Sequence, residues 1–80
     1  MSRRAKLETL LVTDPDDVFL HYALATELVK EGDVASAEAR FTLVHQRFPD
    51  YVAAWFRHAQ WAQERGDFDA ARTLATTGLE

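Results

Sequence analysis

Glycine and proline recur in this 80-residue chain at one fixed interval. The step from Gly32 to Gly66 equals the step from Pro15 to Pro49. At the same offset Asp16 matches Asp50, Val18 matches Val52, Ala25 matches Ala59, Asp33 matches Asp67 and Ala37 matches Ala71. Tyr22 is answered by Phe56 and Leu7 by Phe41, size for size. A unit of this length cannot bury its own apolar face, so such units must stack on one another.

Within each period the punctuation is that of a helix hairpin. Leu20, Leu24 and Leu28 recur at four-residue steps, which predicts a helix over 17–31. Gly32 ends it, because a left-handed backbone is cheap only for glycine. Asp33 then offers a carboxylate to the free N–H groups of a second helix over 34–47, where Ala37, Phe41 and Val44 share a face. Phe48 precedes Pro49 and is pushed out of the helical region. Asp50 is expected to cap the next helix, over 51–65, and Gly66-Asp67 repeats the hinge before a last helix from 68 to about 78. Ala5, Lys6, Leu7 and Leu10 stand one period before Ala39, Arg40, Phe41 and Val44, so residues 3–13 read as the second helix of a preceding unit. The expected fold is all-α with five helices. It forms one domain over 1–80, divided into a half unit (3–15), a full unit (16–49) and a shortened one (50–80).

Composition narrows the function more than the fold. The net charge of −4 opposes a broad nucleic-acid footprint, which needs a basic surface. There is no cysteine, hence no disulfide and no thiolate metal site, which fits a reducing compartment. Arg3 and Arg4 near the start could open an export signal, but Glu8 and Thr9 break the apolar run that should follow. No stretch reaches the ~20 apolar residues of a membrane helix. The expectation is a cytoplasmic protein that binds no membrane and no nucleic acid.

The chain resembles the tetratricopeptide repeat family, whose 34-residue unit follows the pattern W-x2-L-G-x2-Y, then A-x3-F, then P. The first full unit reads His21-x2-Leu24-Ala25-x2-Leu28, then Ala37-x3-Phe41, then Pro49. The second reads Trp55-x2-His58-Ala59-x2-Ala62, then Ala71-x3-Ala75. His21 departs from the pattern in the first unit, and His58, Ala62 and Ala75 depart in the second. The resemblance covers almost the whole chain and is nearest to short stand-alone members of the family. It implies a right-handed stack of antiparallel helix pairs. Ala25, Ala37, Ala59 and Ala71 would allow close helix approach, while Leu24, Phe41 and Trp55 fill the spaces between.

It also implies a site. The first helix of each pair in this family lines a concave groove that holds a peptide or a partner helix. Carried over by position, the lining is Phe19, Tyr22, Thr26, Val29 and Lys30 from one helix. From the next it is Ala53, Phe56, Arg57, Gln60 and Gln63. Aromatic residues and arginine are favourable interface anchors. The other reading of Tyr22 and Phe56 is packing between adjacent units. Some members clamp a partner's terminal carboxylate with Lys and Asn on these helices. Here those places hold Tyr22, Thr26 and Gln60, so that clamp is absent.

The sequence ends at Glu80 with no polar helix to shield the last unit. The expectation is that the natural chain continues or that this end self-associates as a homodimer, with Phe56, Trp61 and Leu74 partly uncovered. RNA binding, by analogy with pentatricopeptide repeats, is opposed by the acidic charge. His21, His45 and His58 sit on three separate predicted helices without metal-site spacing. Asp14, Asp16 and Asp17 lack the glycine and final glutamate of a calcium loop. The Arg65-Gly66-Asp67 tripeptide is explained by the repeat hinge rather than by adhesion. No nucleophile is paired with a base by any motif, so neither an enzyme nor a cofactor is expected.

Overall fold

The computed structural model describes residues 2–79; Met1 and Glu80 lie outside them. Among the described residues there are five helices and no strand. They are α1 (Arg3–Thr13), α2 (Val18–Glu31), α3 (Val34–Arg47), α4 (Val52–Glu64) and α5 (Phe68–Leu79). The expected helices over 17–31 and 51–65 each start one residue later, and the second stops one residue earlier.

The two Gly-Asp hinges have the same build. Gly32 and Gly66 take φ of 77° and 81°, in the left-handed region. The Asp33 N–H reaches back to the Leu28 carbonyl at 3.1 Å and the Gly32 N–H to that of Val29 at 3.1 Å. Asp67 and Gly66 repeat this with Ala62 and Gln63 at 2.9 and 3.0 Å. These are Schellman closures, which satisfy carbonyls that a helix end leaves free. The same aspartates then start the next helices. Asp33 accepts from the Ser36 N–H at 3.2 Å, and Asp67 from that of Ala70 at 3.2 Å. Hydrogen bonds from Ser36, its side chain first and then its backbone, hold the half-buried Asp33 carboxyl below the usual range.

The expected cap at Asp50 is not made. α4 starts from Tyr51, and no side chain bonds to its free N–H groups. In the first unit the capping residue is Asp17, which accepts from Phe19 and Leu20 at 3.0 and 3.3 Å. Tyr51 stands one period after Asp17, so the repeat carries the position forward and loses the carboxylate. Tyr51 packs instead on Tyr22, ring centroids 5.5 Å apart.

The departure at His21 has a physical equivalence behind it. His21 Nε2 lies 2.7 Å from the Pro15 carbonyl oxygen, and Trp55 Nε1 donates to that of Pro49 at 2.9 Å. Arg40 donates to His21 Nδ1 at 3.0 Å, which leaves the proton on Nε2 and makes the imidazole a donor as indole is. Both rings thus tie the interrepeat turn to the helix that follows it.

Leu7 of α1, Ala23, Leu24, Ala25 and Leu28 of α2, Ala37 and Phe41 of α3, and Trp61 of α4 form one continuous buried cluster. The helix pairs α2–α3 and α4–α5 pack most extensively, and α3–α4 much less. No described residue of α5 is fully buried. Arg3 and Arg4 dock α1 onto the far end of α2, reaching Glu27 at 3.3 Å and Glu31 at 3.4 Å. The radius of gyration is 12.3 Å, above the roughly 11.6 Å of a compact 80-residue domain, as a stack of hairpins should give.

Candidate functional site

The ten expected lining residues fall on two helices, and none of them is fully buried. On α2, Phe19, Tyr22, Thr26 and Val29 recur at three- and four-residue steps and share one face. Phe19 is 61% exposed and Lys30 is exposed. Thr26 spends its hydroxyl on the Ala23 carbonyl at 2.8 Å. Val29 packs against the core cluster, and Tyr22 on Tyr51. On α2, therefore, Phe19 and Lys30 are the side chains left open to a partner, and Tyr22 is partly committed to packing.

On α4, Ala53, Phe56, Gln60 and Gln63 are exposed and Arg57 is half-buried. Phe56, Gln60 and Gln63 meet Phe68, Ala71, Arg72 and Ala75 of α5 around an open cleft of about 470 Å³, with Ala59 as its floor. The α2 residues do not line this cleft. The sequence reading missed its α5 side, although the repeat offset carried the signal. Ala59, Ala71 and Ala75 stand one period after Ala25, Ala37 and Phe41, which are wholly buried. In the first unit that surface is covered by α4: His58 stacks on Phe41 at 4.5 Å and Trp61 leans on it at 6.0 Å.

Trp61 is accordingly not where it was expected. It is 5% exposed, and it packs backwards onto the preceding unit instead of facing outward. It offers no surface for self-association. Leu74 is half-buried and lines a different cleft, with Glu38, His58 and Arg65. Phe56, named with them, is 41% exposed.

Arg3, Arg4, Arg47, Arg65 and Arg72 each pair with a carboxylate, whereas among the described residues Lys6, Lys30, Arg40 and Arg57 have none within 4.0 Å. Arg65 and Asp67 of the tripeptide are both engaged, Arg65 with Glu38 at 2.8 Å and over the Trp61 ring at 4.5 Å, Asp67 as a helix cap. Among the described residues, no three His, Asp or Glu side chains gather as metal ligands. No helix of the described chain is long and apolar enough to cross a membrane.

Comparison with known proteins gave no match to a curated protein and none to a solved structure. A family model described as tetratricopeptide repeat matches residues 28–80, which takes in the end of α2, all of α3 and α4, and α5. Two Schellman-closed hairpins in register with the repeat, stacked through small residues and matched by that model over more than half the chain, place this protein in the tetratricopeptide repeat family.

Proposed function

We propose that the chain is a non-catalytic binding module that holds a partner helix against the open face of α4 and α5, with Phe19 and Lys30 of α2 as flanking contacts. Tetratricopeptide repeats generally mediate protein–protein interaction. The observation that carries the finer reading is the internal equivalence of Ala59, Ala71 and Ala75 with Ala25, Ala37 and Phe41. The first set floors an open cleft, the second is buried beneath an α-helix. A surface shaped to take a helix in one unit is shaped to take one in the next. Phe56 and Phe68, 41% and 63% exposed, stand at its rim as apolar anchors.

The test is selection of peptides from a displayed library of helix-forming sequences on the immobilised protein. Selected peptides should bind helically and lose at least tenfold in affinity on Phe56→Ala and Phe68→Ala, with unchanged circular dichroism. Peptides that bind both variants as well as the parent would overturn the reading. A second copy of the chain is another occupant this face admits, and light scattering over a concentration series separates it from a peptide partner.

A further inference from the structure

A hydrogen-bonded row of side chains crosses the α3–α4 junction, away from the face just described. Arg65 donates to Glu38 Oε1 at 2.8 Å, His58 Nε2 lies 3.0 Å from Glu38 Oε2, and His45 Nε2 lies 3.0 Å from His58 Nδ1. The carboxylate fixes the protons along the row. His58 gives its Nε2–H to Glu38, so its Nδ1 accepts, so His45 donates from Nε2 and carries no proton on Nδ1. That last nitrogen is buried with no hydrogen-bond partner. The rings are also stacked: His45 lies 3.6 Å from Trp55, nearly parallel, and His58 4.5 Å from Phe41.

The same junction in the preceding unit has no such row. One period earlier, Leu11 answers His45, Leu24 answers His58 and Arg4 answers Glu38. Leu24 belongs to the apolar cluster and Leu11 packs against it. Packing a hairpin on its neighbour therefore does not need histidines here; two leucines do it one unit earlier.

We propose that the His45–His58 pair makes the α3–α4 junction an acid-sensitive joint, at which protonation parts the two hairpins while each remains helical. A proton added to His58 Nδ1 sets two N–H groups against each other across 3.0 Å. A proton added to His45 Nδ1 is buried without an acceptor. The charged groups facing the pair are Glu38 on α3, Arg65 after α4, and Asp67 and Asp69 at the start of α5, which line the same cleft as His58. Glu38 favours a charged His58, and burial opposes it more strongly, so His58 is held below its ordinary value. Burial, and then the neighbouring His58, push His45 down to about 4. In the parted state both rings return towards their ordinary range, so acid favours parting. The joint is also the most sparsely packed of the interfaces between successive helices, and so the first to yield.

The chain has no cysteine, so spin labels on Val12→Cys and Thr76→Cys report the separation of α1 and α5 uniquely. Both positions are exposed. Pulsed electron resonance from pH 7.5 to pH 4 should show the distance lengthen and broaden while the helical circular-dichroism signal holds. His45→Leu with His58→Leu, which copies the preceding unit, should abolish that response. If the double variant does not fold, His45→Phe with His58→Phe, which keeps rings on Trp55 and Phe41 and leaves neither position able to titrate, must abolish it instead. A distance that stays constant to pH 4, one that changes only as helicity is lost, or one that still responds in the non-titrating variant overturns the proposal.

Discussion

Gly78 lies so close to Trp55 that a Cβ added to it would stand 2.7 Å from the Trp55 Cβ and 3.3 Å from its Cγ. Gly78 follows Val44 by one period, and Trp55 follows His21 by the same interval. The first unit thus carries the smaller ring and the larger aliphatic, and the second unit the reverse. The clash is with the root of the indole side chain, which cannot swing away. Gly78→Ala gains up to ~1 kcal/mol of helix propensity and loses ~1–3 kcal/mol to overpacking. We expect net destabilisation of about 1 kcal/mol, read from urea midpoints. A stabilised variant would contradict the close approach.

The two rings that hold the interrepeat turns differ in what they leave behind. Trp55→Phe removes one donor from the Pro49 carbonyl near the surface, which should cost ~0.5–1.5 kcal/mol beyond the change in packing. His21→Phe strips both the Pro15 carbonyl and the Arg40 guanidinium of a partner at a residue only 4% exposed. Its cost should be larger, ~2–4 kcal/mol for two lost bonds, one of them to a charged group. Equal melting-temperature losses for the two variants would contradict this assignment.

Capping gives a cleaner contrast. Asp17→Ala should lose ~1 kcal/mol, because two helix N–H groups lose their acceptor. Asp50→Ala should stay within about 0.5 kcal/mol of the parent, as for a surface change, because Asp50 caps nothing. Chemical denaturation of both reads the difference directly.

The stability of the fold should depend on pH through His45 and His58. Both are depressed in the folded state, so the unfolded chain binds more protons below its ordinary value of 6.5. Stability is then fully present above about pH 6.5 and falls towards about pH 4, where His45 itself titrates. One proton taken up only on unfolding gives a slope of at most ~1.4 kcal/mol per pH unit, and less for rings that retain some solvent contact. His45→Leu with His58→Leu should flatten the acid limb and raise stability at neutral pH, since a buried polar pair gives way to apolar packing. An acid limb identical to the parent's in that variant would assign the loss to the carboxylates.

The hinges were legible because glycine and aspartate each answer a local demand: Gly32 and Gly66 a left-handed backbone, Asp33 and Asp67 a set of unpaired N–H groups. The repeat interval then placed every helix to within a residue. What could not be read came from contacts between distant segments. Trp61 stands in the first helix of the second unit yet packs on Phe41 of the first, because a first helix closes the unit behind it. His45 and His58 lie on different helices, and nothing local announces that their rings meet. Asp50 was misplaced by one residue because an aspartate beside a turn looks like a cap wherever the helix begins. Of the α4 residues expected to line a groove, Phe56, Gln60 and Gln63 border the open cleft, but their neighbours on α5 emerged only when that cleft was compared with its covered counterpart.

The reading that a helix docks on α4 and α5 is tested most directly by mapping backbone amide shifts as a selected helical peptide is titrated in. Saturable shifts should centre on Phe56, Ala59, Gln63, Phe68, Ala71 and Ala75, with smaller ones at Phe19 and Lys30. Shifts centred instead on the cleft between α1 and α3, at Arg4, Glu8, Ser36 and Leu43, would contradict it.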